Sequence, residues 1–359
     1  MKLQRMNKRV PGLFLACAIS GLLNGCAAVP SSAPRDEPVV REAFITPARP
    51  GEDLDSPTVW RAPDGSVRVY VTAKKAGLVR SYDGQSGAPL GSIGVPGPGA
   101  GQLNRPNGIA AIDDRLFVVE RDNHRVQVFA LPDGKPLGSF GAETLGKPYG
   151  LWIDRTGAGH YRVYVSDDAM PAGTSEQNAI KHVALFEVET AGGLSATRVK
   201  DIGETSGAGR LRVVESVFGD PATGNLLIAD EYMGDGSRLL QYGLDGRYRG
   251  KVIGQGNYQA QAEGVALYAC QDGGGYWIGS DQSKDIQRYV VFDRKSFAYL
   301  GAVRSAVARN TDGVWLDQKA SARFPAGAFY VAHADEAVAA FDWRDIAKAL
   351  GLRSDCTLR

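Results

Sequence analysis

Apolar and polar residues alternate in short runs along most of the chain, and turns of Gly, Asp, Asn and Pro separate the runs. The clearest stretch is GQLNRPNGIAAIDDRLFVVERDNHRVQVFALPDGKPLGSFG, residues 101–141. In it residues 116–120 alternate, 121–123 make a polar turn, 126–131 alternate again, and PDG leads into a last short run. Period-2 alternation sets one side of a strand in a core and the other outside it. The unit therefore predicts an antiparallel meander of about four strands, one blade of a propeller.

This unit resembles an NHL repeat. With it as template, five further units align, with inner strands starting near Pro57, Pro148, Val214, Ala262 and Thr311. The third carries an insertion around residues 171–179, and the last is followed by a helix-like RDIAKALG. Six such units predict an all-β chain, a six-bladed β-propeller with a short C-terminal helix, over residues 51–356. A closed ring of blades leaves only short, protected edges. The 45 glycines and the lack of long helical periodicity agree; a pair of β-sandwiches is the alternative.

The first residues are not part of this pattern. Lys2, Arg5, Lys8 and Arg9 precede an apolar stretch at 13–23, shorter than the roughly twenty residues that span a bilayer and laid out as a secretory signal over 1–25. LLNGC resembles the bacterial lipobox, which makes Cys26 the expected lipidation site; an ordinary signal cut near CAAVPSSA is the other reading. Residues 26–50, rich in Pro, Ser and Ala at first, read as a flexible tether. The expected location is the bacterial cell envelope, with a lipid anchor in the outer membrane, facing periplasm or exterior.

Charge and cysteine use narrow the partners. The 41 Lys and Arg nearly balance 40 Asp and Glu, and four of the cations lie in the leader, so the mature chain is weakly acidic. That gives no electrostatic case for nucleic acid, and a monomer is expected. Two of the four cysteines fall before the mature fold, which leaves Cys270 and Cys356 in an oxidising compartment. Cys270 ends the first strand of blade 5 and Cys356 lies in the tail leaving blade 6, so both can reach one face of the disc and pair.

Equivalent positions of the inner strands form rings about the axis. Asn107, Tyr149, Glu215, Glu263 and Asp312 each precede a Gly or, at Glu215, a Ser, which lets backbones approach closely. Carboxylates facing one mouth repel unless a cation lies between them, and an all-oxygen set selects a hard ion, Ca²⁺ first. A second ring comes from the turn after each second strand: Lys74 and Lys75, Glu120 and Arg121, Asp167 and Asp168, Asp230 and Glu231, Asp281 and Gln282, His333 and Asp335. Many of these are expected to be solvated turn residues, and His124 structural.

DLDSPTVW, TAKKAGL, AEGVALYACQDGGGYWIGSDQ, VVFDRKSFAYLGAV, NTDGVWL and FPAGAFYVAH together resemble the β-propeller phytases, calcium-dependent phosphatases, loosely from about residue 50 to about residue 350. The last two blades carry the specific part. The resemblance implies Glu215, Asp230, Glu263 and Asp312 as catalytic acids. It implies Glu215, Glu263, Asp312 and Asp55 as calcium ligands, and Lys74, Arg121 and Tyr149 as the phosphate-binding residues. The implied substrates are myo-inositol phosphates or related phosphomonoesters. Three positions depart from the family pattern: Ser56 and Ala110 replace acids, and the blade 3 turn SDDAM has no lysine. A non-catalytic NHL-like binding propeller and a single-metal lactonase are the competing functions.

Overall fold

The computed structural model describes residues 37–170, 173–175, 181–285 and 287–356. The leader and Cys26 lie outside the described residues. Among those described, no helix is long and apolar enough to cross a membrane.

The chain forms six antiparallel meanders about one axis. Blade 1 consists of Leu54–Arg61, Val67–Ala73, Leu78–Asp83 and Pro89–Ile93. Blade 2 runs Pro106–Ile112, Arg115–Glu120, Arg125–Ala130, Pro136–Phe140, and blade 3 Pro148–Gly157, His160–Asp167, His182–Glu189, Ser195–Ile202. Blade 4 runs Val214–Asp220, Asn225–Asp230, Arg238–Gly243, Tyr248–Ile253, and blade 5 Gln261–Ala269, Gly275–Gln282, Arg288–Asp293, Tyr299–Ser305. Blade 6 contributes only three strands in this order, Val314–Asp317, Ala328–His333 and Ala337–Asp342. The VPGPGAGQL segment links blades 1 and 2 through a short parallel pair, Val95–Pro96 with Gln102–Leu103.

Strand periodicity explains how the blades join. In blade 2, Phe117 and Val119 enter a core shared with Leu151 and Ile153 of blade 3. Their alternating neighbours Leu116 and Val118 enter a core shared with Trp60 and Tyr70 of blade 1. Every interface repeats this, and the sixth core, with Tyr330 and Val338 against Val69 and Val71, joins blade 6 to blade 1. The ring is closed by side chains on both faces of every blade.

Residues 37–50 correct the expected tether. Phe44–Ile45 pairs antiparallel with Ala337–Asp342 and is the outer strand of blade 6. Val39–Val40 adds a parallel fifth strand to blade 5 beside Tyr299–Ser305. Glu37 accepts from Arg288 Nε at 2.8 Å, and the Arg323 guanidinium lies 5.3 Å from the Phe44 ring. The segment is a strap that belongs to the propeller from Glu37 onward, because its apolar side chains cover edges that would otherwise stay open.

At the other terminus the chain turns into a helix, Trp343–Leu350, started by Asp342 accepting from Arg344 N and ended at Gly351, φ 67°. Trp343 stacks on Tyr268 at 4.3 Å. The tail then returns to blade 5, where Cys356 forms the expected disulfide with Cys270, 86 residues away in sequence.

Candidate functional site

The inner strands all begin at one end of the ring, and there the backbone is irregular in a repeated way. Register slips between Leu54 and Pro57, Pro148 and Leu151, Val214 and Val217, and Ala262 and Val265. Blade 2 slips at the matching place, opposite Val118 and Glu120. Each slip holds two residues against one, a β-bulge, which re-aims a side chain. The bulged pairs are Asp55–Ser56, Asn107–Gly108, Tyr149–Gly150, Glu215–Ser216 and Glu263–Gly264, and Asp312–Gly313 precedes the sixth inner strand. The small second residue is required by the neighbouring blade. A Cβ on Gly108 would lie 2.7 Å from Tyr149 O, and one on Gly313 2.5 Å from Ser56 Cα.

Further down the axis Phe218 meets Trp152, Trp277 and Trp315 at 6.2–6.3 Å between ring centroids. A cavity of only about 40 Å³ remains between the bulges and this aromatic floor. The mouth is thus a shallow polar bowl on an apolar plug.

The second ring divides by strand register. Glu120, Asp167, Asp230 and Asp281 end the second strands of blades 2–5 and pair across to Arg125, His182, Arg238 and Arg288. All four are buried, and each accepts from the loop before its inner strand: Glu120 from Asn104 N, Asp167 from Lys147 N, Asp230 from Val213 N, Asp281 from Gln259 N. These acids fasten backbone. The following residue in each blade, Lys74, Arg121, Asp168, Glu231 or Gln282, occupies the position beside the bulges.

Asp230, expected as a catalytic acid, has its carboxylate held by Val213 N, Tyr232 N and Arg238. Glu231 takes its place. One carboxylate oxygen each from Glu215, Glu231 and Glu263 lie within 4.8 Å of one another. Among the described residues no Lys or Arg pairs with any of the three. Burial, then the charges of Glu231, Asp55 and Asp312, push Glu215 well above the ordinary carboxyl range. Burial, then Glu215 and Glu231, does the same to Glu263, and burial also raises Glu231. Gln261 Nε2 donates to Glu231 Oε2 at 2.5 Å, and the Glu231 carboxyl also shares hydrogen bonds with Glu263 and Glu215. Tyr149 is raised first by the Glu215 charge and then by burial, so it stays a neutral phenol.

The opposite side of the mouth is organised by Lys74. Its ammonium lies 2.9 Å from Asp55 Oδ1, 3.1 Å from Asp312 Oδ2 and 3.5 Å from Asp53 Oδ1. Burial works against ionisation of Asp55, but the Lys74 charge with hydrogen bonds from Asp312, Lys74 and Ser56 leaves it below its usual value. Burial and the adjacent Asp55 leave Asp312 well above. Gln282 Nε2 donates to Asp312 Oδ1. Asp55 and Asp312, expected as metal ligands, thus serve Lys74, and Lys74, expected as a phosphate cation, is held by three carboxyl groups.

Other expected residues fall as follows. Arg121 bonds Asp122 at 2.8 Å and half-faces solvent. Lysines absent from the blade 3 turn arrive from elsewhere: Lys147 and buried Lys181 each lie 2.9 Å from Asp168. Asn107 is fully buried and neither end of its amide has a partner. His124, in left-handed backbone at φ 55°, bonds Gly146 O at 2.6 Å and is structural. Sequence reasoning missed Lys181, which enters from beyond an insertion. Glu231 was in view but ranked below Asp230, and only the parity of the strand end separates them.

The donor set Glu215, Glu231 and Glu263, three hard oxygens with no organic counter-cation, fits a hard divalent ion. The NHL repeat family model matches residues 103–129, inside blade 2. A search of curated proteins by sequence finds no match. Among solved structures, the calcium-binding protein regucalcin from Agrobacterium tumefaciens is similar in fold at TM-score 0.54 and 11% identity, covering 82% of this chain and 86% of that one. Hydrazine synthase from Kuenenia stuttgartiensis is similar at TM-score 0.51 and 15% identity, covering 85% and 84%. At these identities the likeness is one of fold.

Proposed function

We propose that the protein is a calcium-dependent phosphomonoester hydrolase, of the β-propeller phytase type, acting on inositol phosphates or related esters at the mouth of the propeller. The observation that carries this reading is the carboxylate triad Glu215, Glu231 and Glu263, whose oxygens lie within 4.8 Å of one another with no Lys or Arg paired to them among the described residues. Calcium held by the triad would supply Lewis-acid polarisation of a phosphoryl group. Arg121, Lys147 and Lys181, each paired with an aspartate in the free protein, would turn part of their charge to a phosphate dianion. Tyr149, kept protonated beside Glu215, donates its O–H to a phosphoryl oxygen. Glu231, raised in proton affinity by burial, accepts the proton of an attacking water. The aromatic floor formed by Phe218 and Trp315 keeps substrate in the bowl rather than in the channel.

The NHL match favours one other reading, a non-catalytic binding propeller. Phytate or a simple phosphomonoester assayed against a calcium titration decides. Calcium-dependent phosphate release is expected, and its absence at every calcium level leaves the binding propeller. The proposal also holds the protein at the bacterial envelope through Cys26: Cys26→Ser is expected to abolish acylation and release it from membranes.

A further inference from the structure

A cavity of about 240 Å³ lies on the two outer strands of blade 1, where residues 49–50 of the strap pass over them, and no residue of the mouth lines it. Arg49, Arg80, Ser81 and Tyr82 are its polar lining. Arg49 is fixed by its backbone, with N donating to Glu336 O at 2.7 Å and O accepting from Glu52 N at 3.2 Å. Its guanidinium has no partner among the described residues, and its Nε is buried. Arg80 gives Nε and one Nη to Glu52, at 2.8 and 2.6 Å. Tyr82 is 1% exposed, yet its hydroxyl has no partner. Glu52 raises the Arg80 proton affinity, and Tyr82 adds to it.

A buried donor without an acceptor costs about 1–3 kcal/mol, and native folds keep few of them. Here an arginine Nε–H and a tyrosine O–H share one cavity, and its one nearby carboxylate, Glu52, is already taken by Arg80. What is missing is an acceptor with negative charge. We propose that this groove binds a small oxyanion, a carboxylate or a phosphate, accepting from Arg49 Nε–H and Tyr82 O–H. Leu90, 52% exposed at the rim, gives room for a short apolar body on the same ligand.

The two donors belong to different parts of the chain. Arg49 is on the strap that completes blade 6, and Tyr82 is on the third strand of blade 1, so an anion held by both ties the two sides of the ring closure together. A ligand that binds only the closed ring raises its stability.

The test uses EDTA-treated protein, so that anion bound with calcium at the mouth does not contribute. Inorganic phosphate and malonate are titrated separately by calorimetry and by thermal melting. Binding of either, with a raised Tm, is expected, and which of the two binds identifies the phosphate or the carboxylate. Arg49→Ala is expected to weaken that binding at least tenfold. Tyr82→Phe removes an unpartnered hydroxyl, so it leaves the ligand-free protein folded while weakening binding several-fold. No binding of either anion to wild type overturns the proposal. So does binding that Tyr82→Phe and Arg49→Ala leave unchanged, which would mean that the groove holds water only.

Discussion

The two sides of the mouth are made from the same material and behave differently. On the side of blades 6 and 1, Asp53, Asp55 and Asp312 gather around Lys74. On the side of blades 4 and 5, Glu215, Glu231 and Glu263 gather with no Lys or Arg paired to them among the described residues. Both arcs use equivalent bulge positions, so position in the repeat does not decide which carboxylates need an external cation. One lysine at the turn of blade 1, where blade 4 has Glu231, decides it.

The largest effect that can sharpen this comparison is on turnover. Glu231→Gln is expected to lower phosphomonoester hydrolysis by about 10²–10⁴-fold, whereas Asp230→Asn, one residue away, should act through stability alone. Full turnover in Glu231→Gln would put the chemistry elsewhere. Next comes Lys74→Ala in calcium-free buffer. It leaves buried carboxyl groups without their cation and should cost about 3–5 kcal/mol by denaturant unfolding; a loss below about 1 kcal/mol would show that the lysine does not organise its side.

Calcium at one hundred times its Kd should then stabilise wild type by about 2.7 kcal/mol. Glu263→Gln should lose that response and melt no lower than wild type in EDTA, because it removes one of three repelling charges. A calcium response that survives Glu263→Gln breaks the assignment of the triad.

The smallest effect is a pH slope. Glu215, Glu231, Glu263 and Asp312 have raised proton affinity in the fold, so the native state binds more protons than the unfolded one above the ordinary carboxyl range. Metal-free stability should therefore fall as pH rises from about 5 to 8, by up to roughly 1.4 kcal/mol per pH unit for each proton involved. Asp55, lowered, acts only below its ordinary value, and Lys74, raised, only above its own, so neither contributes in this window. Calcium should flatten the slope. A flat profile in EDTA would mean that the triad is already neutralised.

Six blades were legible because alternating runs and turns repeat as units, and a polar residue followed by a small one (Tyr149 in blade 3) recurs at each inner strand, where close backbone approach leaves little freedom. The two-residue strands of the strap were not, since two residues carry no period and the segment begins in Pro and Ser. The choice between Asp230 and Glu231 turned on a single step of register, which reverses the side a residue faces. Lys181 reaches Asp168 from the loop just before the third strand of blade 3, a proximity that no local spacing encodes. Ser56 stands where the phytase pattern has an acid and donates to Asp55 Oδ2 at 2.9 Å, so that departure supports a neighbouring carboxylate.

The strap also sets an order of events. Thr46 Oγ1 accepts from Val338 N across 292 residues of sequence, so the stretch that completes the last blade is synthesised long before its partner. Until then the third strand of blade 6 has a bare edge, open to pairing with another chain. Contacts of such separation slow folding. The nascent chain must therefore keep its closing strand available until a partner 292 residues later is made, and the time before the latch engages is when self-association competes best.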